Sequence, residues 1–460
     1  MTTTHPTIPT TGPPSAWWWA GIPLGWINGH PYAAGPQHCV LVIGPPRSGK
    51  TTGVVIPTII TAPAAVVATS TKPDIVSPTL PWRAGRGTCW YFDPSGTTTP
   101  PPGTTPARWS PIAGCEHWDT ALARAHALTT AAISSAATSL DGGHWTERGE
   151  ALLAPLLHAA ASIDLDISWV LRWVLRRELT EPLRALGATL KTELAKETLV
   201  GIAETDERER SGIFSTAARI LAAYRHQHAL EAAAEPNFNP QAFVCSADTL
   251  YLVAPSHHQA QLAPIVVCLL DQIRHATYTR AGNPPPVVFA LDEVANIAPL
   301  PDLPAIVAEG ASQGLITLAC LQDLHQARTR WGPAADGFVT LFAAKIALGG
   351  IADRDTLTQL SYLAGTQDVT YRTRNGQGLK GGWSQTIQQR PAIPPEQINT
   401  MAPGIGYLAH SNHPPHYISL VAPPPPRPRR KVRGRLRSAN PVNPARRRRN
   451  LPTPDKGATS

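Results

Sequence analysis

Short apolar runs recur along the chain, and most of them end in small or polar residues. The runs are four to six residues long and rich in β-branched or aromatic side chains, which is typical of buried strands. The predicted strands are Cys39–Ile43, Ala65–Thr69, Thr88–Phe92, Thr249–Val253, Pro286–Leu291, Leu315–Cys320, Lys345–Leu348, Gly406–Ala409 and Tyr417–Val421. Strands that are apolar throughout occur in parallel sheets covered by helices. The pattern therefore predicts an α/β fold with a mainly parallel central sheet.

The pattern of apolar positions changes in the middle of the chain. Residues 129–239 are rich in Ala and Leu at three- and four-residue spacing, which predicts helices without strands. We therefore expect an α/β domain over residues 37–128 and 240–421, with an all-α domain inserted between its two halves. Residues 1–36 are predicted to be an irregular N-terminal arm that begins disordered. Residues 422–460 are a Pro- and Arg-rich tail, which cannot bury enough apolar surface to fold alone. The Gly- and Arg-rich stretch from Arg372 to Gly382 is expected to be a loop or a hairpin.

The first of these strands leads into a loop that fits the pattern G-x-x-x-x-G-K-[ST] at every fixed position. A strand precedes the loop and a predicted helix follows it, as the motif requires. Gly44 and Gly49 allow a tight turn in which backbone N–H groups point into one anion-sized hollow. Lys50 can reach the β- and γ-phosphates, and the Thr51 hydroxyl can bind Mg²⁺. The residues predicted to bind ATP are Gly44, Pro45, Pro46, Arg47, Ser48, Gly49, Lys50, Thr51 and Thr52.

A second predicted strand, Pro286–Leu291, ends in a pair of acids that a nucleotide site needs. Asp292 is expected to hold Mg²⁺, and Glu293 is expected to polarise the attacking water as a general base. Asp292 follows Lys50 by 242 positions, which is more than one compact nucleotide-binding core requires. The helical segment accounts for the excess, which supports its interpretation as an insertion.

The sequence also predicts two further catalytic roles. Gln322 ends the strand Leu315–Cys320, where its amide can sense the γ-phosphate. An arginine from a neighbouring subunit can stabilise charge in the transition state. Arg210 is our candidate for that role, and Arg208 and Arg219 are the alternatives. Lys72 can contact nucleotide or DNA, or can be a surface lysine.

Charge is concentrated at one end of the chain. The formal net charge is +8, and the stretch from Arg427 to Lys456 holds twelve basic residues and one acid, so the remainder is near −3. The basic tail predicts contacts with nucleic-acid phosphates; the alternatives are a disordered solubilising tail or a segment that docks an acidic protein. The six cysteines are scattered without a C-x-x-C pair, which favours reduced thiols over a metal or disulfide framework.

A family resemblance emerges from these motifs together. The stretches that carry it are Val42–Thr52, Val55–Pro57, Thr69–Asp74, Phe92–Pro94, Arg108–Pro111, Leu291–Ile297 and Gln313–Gln322. They resemble the coupling-protein ATPases of bacterial conjugation and type IV secretion over roughly residues 37–421. The phosphate loop is shared by many families, whereas its combination with Ser70–Asp74 and Asp292–Ile297 is far more specific.

The resemblance implies a RecA-like P-loop motor with an inserted all-α domain and a homo-hexameric ring that binds ATP between subunits. It also implies that the protein recruits a relaxase–DNA complex and moves single-stranded DNA toward secretion-channel proteins. Alternatives are a double-strand DNA pump of the chromosome-partition type and a non-catalytic nucleotide-binding adaptor of a secretion complex.

The expected location follows from the hydropathy of the chain and from one departure from the family. No secretory signal and no membrane-spanning stretch is recognisable, whereas family members usually carry membrane-spanning helices ahead of the motor domain. The tryptophans at Trp17–Trp19 and Trp26 can sit at a bilayer interface or pack on their own domain. We therefore expect a cytoplasmic protein that reaches the inner face of the membrane only indirectly, through a partner.

Overall fold

The computed structural model describes residues 21–133, 142–187, 193–255, 257–282, 284–375 and 382–420. The predicted disorder at the start of the N-terminal arm and the basic tail over residues 422–460 lie outside the described residues. Among the helices that are described, none is long and apolar enough to cross a membrane.

One twelve-stranded sheet and one separate two-stranded sheet contain the strands of the described chain. The strands are β1 (Pro23–Ile27), β2 (His30–Ala33), β3 (Val40–Ile43), β4 (Val66–Ser70), β5 (Cys89–Phe92), β6 (Thr105–Pro106), β7 (Thr249–Val253), β8 (Val287–Leu291), β9 (Leu315–Leu321), β10 (Ala344–Leu348), β11 (Thr366–Asn375), β12 (Gly382–Pro391), β13 (Ile405–His410) and β14 (His416–Ser419). The large sheet has the order β2-β1-β14-β13-β10-β3-β9-β8-β4-β7-β5-β6. Strands from β10 to β6 are parallel, and those from β2 to β13 form an antiparallel edge.

Helices cover the sheet and fill the connections between its parallel strands. They are α1 (Ile56–Thr61), α2 (Val76–Arg83), α3 (Trp118–Ile133), α4 (Gly142–Ser162), α5 (Ile167–Arg176), α6 (Thr180–Leu186), α7 (Glu193–Ala203), α8 (Glu207–Ile220), α9 (Gln227–Ala233), α10 (Pro240–Val244), α11 (Gln259–Thr279), α12 (Val294–Ile297), α13 (Leu303–Glu309), α14 (Leu324–Trp331), α15 (Phe338–Leu341), α16 (Arg354–Leu363) and α17 (Pro395–Asn399). A π-helical stretch, Thr51–Val55, leads into α1.

The predicted α/β fold with a mainly parallel central sheet is confirmed. The nine predicted strands agree with the observed ones to within one residue at each end, apart from the last, whose predicted end lies outside the described residues. Alternate residues of each buried strand face opposite sides, so that Val40 and Val42 of β3 enter one hydrophobic core and Leu41 and Ile43 enter the other. Both faces of the sheet are therefore shielded from water, which explains why these strands are apolar throughout.

The described residues between β6 and β7 form α3 to α10 without a strand. Local capping defines several of these helices; the Asp206 carboxylate, for example, accepts hydrogen bonds from Arg208 N and Glu209 N at the start of α8. The helical segment shares the larger of the two cores with the sheet. The boundary expected after residue 128 falls inside α3, which begins ten positions earlier at Trp118.

The N-terminal arm differs from its prediction. An irregular arm was expected over residues 1–36, but β1 and β2 form a hairpin on the antiparallel edge of the large sheet. Trp26 pairs with Ser419 of β14, so the register is set by a strand from the far end of the chain. Gly25 approaches the Ser419 carbonyl so closely that a Cβ would lie 2.4 Å from that oxygen. The stretch from Arg372 to Gly382, expected to be a loop or hairpin, begins in β11 and ends in β12, which pair antiparallel.

A histidine–tyrosine cluster fastens this N-terminal hairpin to the sheet. Tyr32 Oη lies 2.8 Å from His410 Nδ1, and His410 Nε2 lies 2.8 Å from His38 Nδ1. Because His38 Nδ1 also accepts from Gly35 N, His410 Nε2 is the donor in that pair and Tyr32 donates to the other nitrogen. Burial, assisted by the nearby His38, His413 and Lys345, lowers the pKa of His410 to about 4.

The cluster predicts a pH-dependent loss of stability. His410 takes up a proton near pH 6.5 when unfolded but only near pH 4 when folded, so stability falls as the pH drops through that interval. The loss amounts to up to about 3 kcal/mol. Urea unfolding at a series of pH values measures it. His410→Gln should flatten the dependence, and the exposed His416→Gln should keep it; equal slopes in all three proteins would contradict the assignment.

Candidate nucleotide-binding site

The loop after β3 has the backbone shape that its glycines predict. Gly44 N donates to Leu321 O at the end of the neighbouring β9, over 3.1 Å. A Cβ on Gly44 would lie 2.6 Å from Ser48 Oγ and 3.0 Å from Leu348 Cβ, so only glycine fits there. Arg47 and Gly49 have φ angles of 65° and 101°, in the left-handed region. The loop therefore wraps tightly around one hollow at the start of the following helix.

The Lys50 side chain and the hydroxyl oxygen of Ser48 are buried in the loop. Lys50 is 7% exposed, and its Nζ donates to Gly44 O at 2.5 Å and to Pro45 O at 3.0 Å. Ser48 Oγ is buried and makes no hydrogen bond within the described part of the chain. A buried hydroxyl without a partner is costly unless a ligand satisfies it. The loop thus presents an ammonium group and a free hydroxyl where a phosphate would bind.

The strand-end carboxylate reaches the phosphate loop from two strands away. Thr51 Oγ1 donates to Asp292 Oδ2 at 2.5 Å, and Thr69 Oγ1 donates to the Asp292 carbonyl at 2.8 Å. Asp292 is only 5% exposed. Burial raises its pKa, while the hydrogen bond from Thr51 and the charge of Lys50 oppose that rise. A hydroxyl and a buried carboxylate so close together are suitable ligands for Mg²⁺.

Glu293 has a strained backbone at the end of β8. Its φ and ψ angles of 55° and 45° are left-handed, which is uncommon for a residue other than glycine, asparagine or aspartate. Asn296 Nδ2 donates to Glu293 Oε2 over 3.0 Å, which orients the carboxylate. The residue directly after the metal-ligand candidate is therefore held in a fixed, partly exposed position.

Of the two remaining catalytic candidates, Gln322 lies beside the site and Arg210 lies in the helical segment. Gln322 follows β9, which lies between β3 and β8, so it is next to both site-forming strands; its backbone N–H donates to Gln326 Oε1 at 3.0 Å. Arg210 lies on α8, and its Nη1 donates to Ala203 O at 2.7 Å and Thr205 O at 3.3 Å. Within its own chain Arg210 ties the end of α7 to the start of α8.

Other residues that shape the site were not predicted. Thr69 anchors the Asp292 main chain, and Leu420 packs over Gly53, where a Cβ would lie 2.7 Å from Leu420 Cδ1. The backbone of Gly350 approaches Pro45 closely: a Cβ at that position would lie 3.1 Å from the proline ring. The Gly349–Gly350 doublet directly after a predicted strand is a recognisable sign of such a close approach. No sequence signal marks Leu420.

The buried lysine, the unpartnered Ser48 hydroxyl and the Thr51–Asp292 contact fit a nucleoside triphosphate with Mg²⁺. Together with the parallel sheet they define a P-loop NTPase fold of the RecA-like type, as predicted from the sequence.

Comparison with known proteins places the chain in a family. Residues 3–419 match the family described as "Type IV secretory system Conjugative DNA transfer", and the chain belongs to this family. Two Escherichia coli proteins named conjugal transfer protein TraG are 25% and 26% identical to it over 407 and 406 residues, which is 80% of this chain. The chain spans 62% of the length of these relatives.

Solved structures of a plasmid coupling protein share the fold. The unbound form of the bacterial conjugative coupling protein TrwBdeltaN70 has a TM-score of 0.65 and 17% identity, covering 88% of this chain and 90% of its own. TrwB in complex with ADP and Mg²⁺ has a TM-score of 0.62 at the same identity, covering 87% of this chain and 88% of its own. The predicted resemblance to conjugative coupling proteins is confirmed at the level of family and fold.

The raised pKa of Asp292 predicts opposite effects on stability and binding. Ionised Asp292 is disfavoured by burial in the folded protein, so Asp292→Asn should raise the melting temperature at neutral pH without nucleotide. The same change should weaken Mg²⁺-dependent binding of an ATP analogue to a measurable extent. Differential scanning fluorimetry and calorimetric titration measure the two effects. The matched control is Asp166→Asn at the exposed N-cap of α5, which should change neither, since asparagine caps as well as aspartate. A lower melting temperature for Asp292→Asn would refute the argument.

Proposed function

We propose that the chain hydrolyses ATP and uses the energy to move single-stranded DNA toward a type IV secretion channel during conjugation. The observation that carries this proposal is the contact of Thr51 with Asp292, which joins a phosphate loop to a strand-end carboxylate. Membership of the conjugative DNA-transfer family supports the DNA substrate. The complexes of TrwB with ADP and Mg²⁺ and with an ATP analogue support the nucleotide.

The residues of the site divide the work of binding. Loop N–H groups, Lys50 and Ser48 hold the β- and γ-phosphates. Lys50 turns from the Gly44 and Pro45 carbonyls toward the phosphates, exchanging neutral acceptors for charged ones. Thr51 and Asp292 would hold Mg²⁺, which when bound neutralises charge on the phosphate oxygens.

Glu293 is the general base in this proposal. It adjoins the Mg²⁺-ligand candidate and is partly exposed, so water can reach its carboxylate. The hydrogen bond from Asn296 occupies one carboxylate oxygen and leaves the other for that water. The left-handed backbone fixes the direction of the side chain.

Assembly completes the catalytic set. We assign Gln322 as the γ-phosphate sensor, because it directly follows β9, the strand between the two site-forming strands. A homo-hexameric ring would let a neighbour supply an arginine, for which Arg210 remains our candidate; that role requires its guanidinium to leave the Ala203 and Thr205 carbonyls. The exposed Arg208 and Arg219 are alternatives.

The partners proposed are DNA, a relaxase, and proteins of the secretion channel. The twelve basic residues between Arg427 and Lys456 would bind DNA phosphates, so binding should weaken steeply with salt. Association with the membrane is proposed to be indirect, through those partners.

Two substitutions separate binding from turnover. Lys50→Ala removes the charged donor and should reduce turnover by about 10²–10³-fold with weaker ATP binding. Glu293→Gln removes the base and should reduce turnover by about 10²–10⁴-fold while ATP binding is retained. Phosphate release and nucleotide-binding assays measure the two quantities. The matched control is the exposed Glu309→Gln, which should behave as wild type.

Stimulation of turnover by DNA tests the transport part of the proposal. Wild type should hydrolyse ATP faster with a single-stranded oligonucleotide than with the duplex of the same sequence, since the proposed cargo is one strand. Preference for duplex would replace the proposal with a double-strand pump. Absence of ATP turnover under every condition would refute the proposed ATPase activity and favour a non-catalytic nucleotide-binding adaptor.

A further inference from the structure

A two-stranded hairpin, β11–β12, stands apart from the large sheet. Thr366 pairs with Pro391 at its base, and Asn375 pairs with Gly382 at the far end of the described ladder. Residues 366–368 and 385–390 are exposed, and Ile387 is 66% exposed. A two-stranded hairpin that buries so little is marginally stable in water. The hairpin therefore has the features of an element that gains stability from a partner.

The chemistry of the hairpin is basic and rich in hydrogen-bonding groups. Residues 366–391 contain four basic residues, Arg372, Arg374, Lys380 and Arg390, and one acid, Asp368. Arg372 and Arg390 are both exposed and lie on opposite faces of the hairpin. Arg390 pairs with Gln367 and so shares its face, and Gln367 is an odd number of positions from Arg372 along β11, where side chains alternate between the faces. Glutamines and threonines occupy eight of the twenty strand positions. Positive charge on both faces suits a polyanion that contacts the hairpin from more than one side.

Apolar and aromatic groups accompany the charges. The Arg390 guanidinium lies over the Tyr371 ring, with Cζ 5.1 Å from the centroid, and Ile387 exposes its side chain on the other face. Aromatic and apolar groups interleaved with arginines are typical of surfaces on which unpaired bases stack. Bases are available for stacking in a single strand and not in a duplex. The composition therefore favours single-stranded DNA over duplex.

The base of the hairpin is fixed to the motor. Ala392 N donates to Gly365 O over 2.9 Å, and Ser361 Oγ donates to Ile393 O over 2.7 Å, so both strands are anchored at the end of α16. Tyr407 Oη of β13 donates to Leu360 O over 2.7 Å and holds the helix against the large sheet. A force on the hairpin is therefore transmitted to α16.

The other end of α16 is tied to the nucleotide site. Thr356 is fully buried; its hydroxyl accepts from Leu324 N over 2.9 Å and donates to the Asp353 carboxylate that caps α16. Leu324 comes two residues after Gln322, at the end of β9 beside the phosphate loop. One buried hydroxyl thus joins the strand end at the γ-phosphate position to the helix that carries the hairpin.

We propose that the hairpin β11–β12 binds single-stranded DNA and that Thr356 couples its occupancy to the nucleotide site; the proposal rests on the function proposed above. The hairpin supplies phosphate contacts through Arg372 and Arg390 and a stacking surface through Tyr371. Thr356 is a positioning residue, which acts through the backbone between Gln322 and α16.

Binding of DNA to the hairpin is tested by charge removal in the full chain. The double substitution Arg372→Gln with Arg390→Gln removes two phosphate contacts, so the slope of log affinity against log salt for a fluorescein-labelled thymidine oligonucleotide should fall by about 1.4. DNA-stimulated ATPase should fall in parallel, and basal ATPase should stay unchanged. The matched control, Arg176→Gln with Arg184→Gln, removes two exposed arginines of the helical segment and should leave slope and stimulation intact.

The outcomes separate this proposal from the one on which it rests. Wild type without DNA-stimulated turnover would overturn the proposed function itself. A stimulated wild type together with an unimpaired hairpin variant would overturn the hairpin proposal alone. A hairpin variant that changes the assembly size in sedimentation would place a neighbouring copy of the chain, rather than DNA, on the hairpin.

The role of Thr356 is tested with two substitutions, one that removes its hydroxyl and one that removes its methyl group. Thr356→Val removes the hydroxyl and should uncouple the protein, with oligonucleotide affinity kept and DNA stimulation lost. Thr356→Ser retains the hydroxyl and should restore stimulation, which a purely structural role of the methyl group would not allow. Stimulation by DNA that survives Thr356→Val would overturn the coupling role.

Discussion

The hydrogen bond from Thr51 to Asp292 is the constraint on which the rest of the structure depends. It joins residues separated by 241 positions in the chain, across the strand that lies between β3 and β8. Burial makes the ionised carboxylate expensive, and the threonine hydroxyl and the Lys50 charge compensate only partly. The site therefore holds a buried carboxylate, Asp292, whose negative charge a bound cation would stabilise. On this account, replacing Asp292 trades stability against metal binding.

Sheet order explains how so large a sequence separation becomes one contact. Parallel strands end at the same edge, so β3, β9 and β8 bring the phosphate loop, Gln322 and Asp292 together there. The helices from α3 to α10 occupy the sequence between these parts but pack into the same core as the sheet. The helical segment therefore adds to the hydrophobic core of the α/β fold without interrupting the candidate site.

Much of this arrangement was predictable from the sequence, and the features that were not predictable have identifiable physical reasons. The apolar strands and the phosphate loop follow from burial on both faces and from glycine positions that tolerate no Cβ. The strand β1 was not predictable, because Pro23 and Gly25 interrupt its pattern and its register depends on Ser419. The hairpin strands β11 and β12 carry mostly polar residues on both faces, with Val369 and Tyr371 on one and Ile387 on the other, so no apolar face identifies them. The local bonds of Arg210 were also invisible, since charged helix residues carry no signal of the carbonyls they contact.

The central claim is that Thr51 and Asp292 act on one metal ion. A double-mutant cycle on Mg²⁺-dependent binding of an ATP analogue tests it most directly, with Thr51→Val, Asp292→Asn and the two combined. If both residues hold the same ion, the combined loss should fall short of the sum of the single losses by more than about 1 kcal/mol. Losses that add to within about 0.5 kcal/mol would show that the two residues act independently and would contradict the account.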